Sequence, residues 1–200
     1  MNKFIFVIWV LVSSFKTHSS SQWQLWEDFK DNYINQAGRV IDPAQNKNIT
    51  TSEGQSYGLF FALVNNDKAT FDKILNWTQK YLTPNGFKKE LPAWLYGTKN
   101  RKLGILDSNS ASDSDVWITY SLLEAAKLWG KPEYQRLAEQ LSKNIIRNET
   151  YQHPVYGLIL LPGSEGFIED DKVRLNPSYL PLQILESISS ELKSHWWQQI

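Results

Sequence analysis

The chain has 200 residues, 21 basic and 21 acidic, and a formal net charge of zero. That length suits one domain, or part of a larger one, with a substantial buried core. The balanced charge, with no basic stripe, excludes the electrostatic footprint of a nucleic-acid binder, and the lack of cysteine excludes disulfides and thiolate chemistry.

The chain opens on a pattern of export. Lys3 precedes an apolar run from Phe4 to Val12, and Ser13 to Ser21 follow as mostly small, polar residues. A membrane-spanning helix needs about 20 apolar residues, so no stable membrane span is expected. Residues 1–21 instead read as a signal peptide, although serines stand where an Ala-x-Ala cleavage site is usual. A periplasmic or secreted location follows, with residues 22–200 as the working domain.

Apolar residues then recur at helical spacing. Trp23, Trp26, Phe29, Tyr33 and Ile34 predict a first helix, ending near Gly38. Tyr57, Phe60, Phe61 and Val64 predict a second, and Phe71, Ile74, Leu75, Thr78 and Leu82 a third, stopped by Pro84 and Gly86. Ile118, Leu122, Ala125 and Trp129 mark a fourth, closed by Gly130. Pro132 begins a fifth through Tyr134, Leu137, Leu141 and Ile145, and Pro177 a sixth through Leu180, Ile184 and Ile188. A seventh begins near Ser194. Strand-like alternation is short and confined to loops, for instance Val155 to Leu161. The fold class is all-α, built of paired helices. The connections Phe87 to Asn109 and Thr150 to Asn176 are long and rich in aromatic and apolar residues, which marks functional loops rather than disorder.

Two acidic clusters open helices. Glu53 lies in Thr-Ser-Glu-Gly-Gln-Ser-Tyr-Gly, residues 51–58. Thr50-x-x-Glu53 also has the spacing of a capping box, in which Glu53 is structural. Gly54 and Gly58 lower helix propensity, so something else calls for open space or close backbone there. Tyr57 lies one turn on and shares the face of Glu53. Asp113 and Asp115 follow Ser110, Ala111 and Ser112. Capping by a serine explains them equally well, and because they point about 200° apart only one faces a given cleft. Asp113, nearer the helix mouth, is the better candidate. The three histidines, His18, His153 and His195, are scattered, so neither a metal nor a cofactor is expected, and no Gly-x-Ser-x-Gly elbow occurs.

Residues 51–58 resemble the catalytic-acid segment of family 8 glycoside hydrolases. Ala111 to Asp115, with Trp117, Ile118, Leu122, Glu124, Ala125 and Trp129, resemble the same family's signature. Leu91 to Gly97, Asp107 to Ser110, Arg174 to Pro181 and Gly38 to Asp42 fit further blocks, so the likeness runs from about residue 23 to 182. Within the family it is strongest to the periplasmic enzymes that accompany bacterial cellulose synthase. Ser114 departs from the usual glycine or alanine, and Thr119 from the usual alanine.

The resemblance implies an (α/α)6 barrel, a toroid of helical hairpins, whose open cleft hydrolyses β-1,4-glucan with inversion. It makes Glu53 the general acid and Asp113 either a nucleophile or the residue that holds the sugar at the cleavage point. The second is preferred, because inversion uses a base and water rather than a covalent intermediate. Trp94 and Tyr96 stack on glucosyl units, and Tyr57, Arg174, Asn176 and Tyr179 line the cleft. The family's general base, in a later Tyr-Asp segment, has no match here. Twelve helices also need more than 200 residues, so a fragment or a truncated relative is expected, with uncovered apolar faces. A glucan-binding remnant and a helical envelope interaction protein are the alternatives, and the cellulose synthase machinery is a possible partner.

Overall fold

The computed structural model describes residues 23–43, 48–170 and 172–200; the expected signal segment, 1–21, lies outside them. The first helix, α1 (Gln24–Tyr33), packs Phe29 edge-on against Phe61 at 5.3 Å. A two-residue strand β1 (Thr50–Thr51) leads directly into α2 (Ser52–Val64). Asn65 to Asp67 turn the chain into α3 (Lys68–Tyr81), where the Asp67 side chain caps by accepting from Thr70 N at 3.0 Å. That cap also receives Trp26 Nε1 at 3.2 Å, which ties α1 to the turn.

The hairpin β2 (Leu95–Lys99) and β3 (Lys102–Asp107) follows, and α4 (Ser112–Trp129) comes next. Gly130, left-handed at φ 62°, ends α4, and Pro132 opens α5 (Pro132–Asn148). The hairpins β4 (Thr150–His153) with β5 (Gly157–Leu160), and β6 (Ile168–Glu169) with β7 (Lys172–Val173), precede α6 (Leu182–Leu192). β1, β2 and β3 form an antiparallel sheet in that order, pairing Thr51 with Leu95 and Leu95 with Asp107. All seven strands sit in segments that join helices.

Side-chain contacts give the direction of each helix. Gln55, early in α2, donates to Thr78, late in α3, at 2.8 Å, so the two are antiparallel. Ser114, at the start of α4, meets Ser52, at the start of α2, at 2.8 Å, and Lys127 late in α4 meets Glu191 late in α6 at 3.0 Å. Helices α2, α4 and α6 therefore run the same way, and α3 and α5 return between them. That alternation is the helical-hairpin pattern of an (α/α)6 toroid, and it sends the long loops to the end where α2, α4 and α6 begin. The core lies between the layers, with Leu59, Phe71, Ile74, Ile118, Leu122, Leu141, Ile145 and Ile188 all buried. Gly58 permits close packing in this core: a Cβ there would come within 2.9 Å of Val40.

Three local expectations are corrected. Thr50 does not cap α2: Thr51 does, accepting from Gly54 N at 3.1 Å. Thr50 Oγ1 instead takes a hydrogen bond from Arg39 Nε at 2.7 Å and gives one to Val40 O at 2.6 Å. The sixth helix begins at Leu182 rather than Pro177, whose residues form a single 3-10 turn through Tyr179. Pro181 is the cause, since the residue before a proline is pushed out of the helical region, and Leu180 has ψ 71°. No helix starts near Ser194 among the described residues; Trp197 is buried there and donates to Ser142 at 2.8 Å.

Gln55 links three segments, because its Oε1 also accepts from the buried Val40 N–H at 2.6 Å. Gln55→Leu leaves that N–H without its acceptor, and stability should fall by about 1–3 kcal/mol, read as a lower urea midpoint.

Candidate active site

Two helix mouths converge to make the site. Ser52 and Ser114, the first-turn serines of α2 and α4, are both buried, with their hydroxyl oxygens 2.8 Å apart. Their neighbours Glu53 and Asp113 are thereby brought together. The capping explanation for Glu53 fails on geometry. Its Oε1 accepts from Trp94 Nε1 at 3.0 Å instead, and Ser52 Oγ lies 3.4 Å from its Oε2.

A cavity of about 430 Å³ opens beside this carboxylate, lined by Glu53, Trp94, Asp107, Phe167, Arg174 and Tyr179 among others. Its volume is in the range of small-ligand sites, ~300–1,000 Å³. Asn109, Ser110, Ala111, Pro162, Leu175 and Asn176 complete the wall. The wall is pinned: Ser164 N donates to Ser110 Oγ at 3.1 Å, and Glu165 N to Asn109 Oδ1 at 3.0 Å. A Cβ at Gly163 would lie 2.3 Å from Ser110 O, so only glycine allows this approach. Asn176 caps its own turn, accepting from Ser178 N at 3.2 Å, and the Arg174 guanidinium lies 4.0 Å from Glu169.

Electrostatics couple the acids. Burial raises the half-buried Asp113 carboxyl to about 6, with the Glu53 charge as the second cause. Hydrogen bonding from the Ser114 N–H, at 2.7 Å, opposes this. Burial is also the first cause of the raised Tyr57 and Tyr179 phenols, and both then feel Asp113 and Glu53. Glu53, Asp113, Tyr57 and Tyr179 thus share one local field.

The signature of glycosyl hydrolases family 8 matches residues 1–200. The chain belongs to this family. An endoglucanase of Escherichia coli O157:H7 is 53% identical over 176 residues, covering 88% of this chain and 48% of that protein. An endoglucanase of Xanthomonas axonopodis pv. citri is 44% identical, over 87% of this chain and 46% of its own length. Among solved structures, the endo-1,4-D-glucanase of Vibrio fischeri ES114 superposes with a TM-score of 0.86 at 51% identity. That match covers 89% of this chain and 52% of the other. The chain therefore spans about half the length of the curated relatives it matches.

Of the residues expected at a family 8 site, Glu53, Trp94, Arg174, Asn176 and Tyr179 line the cavity, and Asp113 and Tyr57 adjoin it electrostatically. Tyr96 does not. It is 7% exposed, edge-on to Trp77 at 5.2 Å, and lies under the Arg39 guanidinium. The pleat carries Tyr96 inward along β2, where a bulge at Leu95/Tyr96 shifts the register. Asp107 and Phe167 also line the cavity, and the fully buried Glu149 does not line it but bonds the lining residue Ser110. The Glu149 carboxyl is pushed up to about 8, first by burial. Glu149 follows a helix end in an ordinary polar stretch, so local pattern carries no signal for it.

Glu53→Gln removes the negative charge facing Asp113. Carbon-13 titration of the carboxyls should show the Asp113 value falling below about 6. It should remain above the ordinary value, because burial, the larger cause, persists.

Proposed function

We propose that this chain carries the acid side of an endo-β-1,4-glucanase active site that hydrolyses β-1,4-glucan with inversion. The observation that carries the reading is the Glu53 carboxylate, held at 3.0 Å by Trp94 Nε1 on the wall of the cavity and facing Asp113. The names of the relatives, endoglucanase and endo-1,4-D-glucanase, support the substrate class.

Glu53 is assigned as the general acid that protonates the leaving glycosidic oxygen. Trp94, 38% exposed on the wall, offers a ring face to a glucosyl unit while its indole N–H orients the acid. Tyr57, Arg174, Asn176 and Tyr179 are assigned to sugar hydroxyls. Asp113 is assigned to holding the sugar at the cleavage point. Inversion uses a base and a water molecule, with two carboxyl groups about 6.5–9.5 Å apart, so no covalent intermediate on Asp113 is required. Protonation suits a holding role: near pH 6 the Asp113 carboxyl passes between donating and accepting a hydrogen bond.

Residues 1–21 are proposed as the export signal and 22–200 as catalytic-domain sequence, which places the protein in the periplasm or outside the cell. No described helix is long and apolar enough to cross a membrane. Action beside the cellulose synthase machinery is the partner reading that the family resemblance favours.

Release of reducing ends from carboxymethylcellulose tests the assignment. Whatever release the unmodified chain supports should be reduced in Glu53→Gln by the 10²–10⁴-fold typical of general acid catalysis, roughly. Retained binding to cello-oligosaccharides without release from either form would identify a glucan-binding chain instead.

A further inference from the structure

Behind the cleft lies a group of acids that the proposed reaction does not use. Asp115, two residues past Asp113 on α4, and Glu149, at the end of α5, are both 0% exposed. Glu149 Oε1 accepts from Ser110 Oγ at 2.6 Å, and Ser114 Oγ lies 3.4 Å from Asp115 Oδ1. The remaining oxygens, Asp115 Oδ2 and Glu149 Oε2, are buried and receive no hydrogen bond from another described N–H or O–H group. The two carboxyls act on one another, and with no other described donor their free oxygens can be satisfied only by a hydrogen bond between them. Ionised carboxylates only accept, so such a contact exists only when one of the two carries a proton.

We propose that Asp115 and Glu149 are positioning residues that share a single proton as a buried carboxyl–carboxylate pair, and that this pair orients the Ser110 hydroxyl holding the cleft wall. The orientation follows from hydrogen-bond inventory. Ser110 has one hydroxyl proton, and with that proton given to Glu149 its lone pairs face the Ser164 N–H at 3.1 Å. Ser164 belongs to the loop between Pro162 and Phe167, both cavity-lining residues.

The charged groups facing the pair reinforce proton retention. Asp113 on the same helix and Glu53 from the mouth of α2 act on Asp115, and Asp113 acts on Glu149. All are acidic, so each favours the protonated form, and burial, the largest cause for both partners, does the same. Full ionisation would place two negative charges against one another with only serine hydroxyls as donors. The inference concerns the fold beneath the site and stands whether or not the substrate is a glucan.

The sign of the pH dependence is fixed by linkage. Above the ordinary carboxyl range the unfolded chain has released this proton, while the folded chain retains it up to about 8. The folded state therefore binds more protons, and stability falls as pH rises through that window. Asp113 contributes only up to about 6, so the pair is read between pH 6 and 8. There the folding equilibrium constant should fall about tenfold per pH unit for one retained proton, measured by urea unfolding at several pH values.

Glu149→Gln keeps an acceptor for Ser110 and supplies an N–H to Asp115, so it should fold and lose that slope. An unchanged slope in the variant would overturn the proposal, as would a flat profile in the unmodified chain. Should Glu149→Gln not fold, Asp115→Asn serves in its place. Should neither fold, the infrared carbonyl band of a protonated carboxyl decides on the unmodified chain: its persistence at pH 7 supports the pair, and its absence refutes it. None of these measurements involves glucan, so failure here and failure of the glucanase reading are separable.

Discussion

The contact on which the site depends is the approach of two buried serine hydroxyls, Ser52 and Ser114, at 2.8 Å. A hydroxyl pair is short, so it draws the first turns of α2 and α4 together in a way that longer side chains would not. Both acids proposed for the chemistry sit on those turns: Glu53 follows Ser52, and Asp113 precedes Ser114. Behind the mouths, Gln55 braces α2 against Val40 and α3.

Concentrating carboxyls at helix N-termini sets two effects against each other. The helix dipole favours the charged form by about 0.3–1 kcal/mol, up to ~2 in partly buried settings. For Asp113, a displacement from 3.8 to about 6 corresponds to about 3 kcal/mol in favour of the neutral form. Burial and the Glu53 charge therefore outweigh the dipole and the Ser114 N–H together. Asp115 lies deeper on the same turn and is raised well above its ordinary range, again with burial first. Both acids of this turn are thus held toward their protonated forms, with burial of α4 as the first cause.

The connecting segments divide their aromatic residues between two tasks. Trp94 stands at the end of the approach to β2 with its ring exposed and its N–H on Glu53. Tyr96, two residues on, fills a small cluster with Trp77 and Leu82 beneath the buried Arg39. One aromatic serves the cleft and the other secures the strand that carries it. The loop from Pro162 to Phe167 is held likewise, by hydrogen bonds from Ser164 and Glu165 to the chain just before α4. Loop walls are thus anchored to the same helix mouths that present the acids.

The sequence by itself determined the helices, because periodic apolar residues such as Phe71, Ile74 and Leu75 register a local, repeating constraint. It also singled out Glu53 and Asp113, whose motifs are contiguous and start helices. Two helix starts depart from the local pattern. Thr51, not Thr50, caps α2 because Thr50 is taken by Arg39 and Val40, and Pro181 delays α6. Only the tertiary structure decided which aromatics reach the cleft, since residues two apart share a face in a regular strand and it is the bulge at Leu95/Tyr96 that parts Tyr96 from Trp94. It alone brought Glu149 against Asp115, residues on different helices with no shared motif. Periodicity and capping are written in neighbouring residues, whereas burial and the pairing of distant charges exist only once the helices have packed.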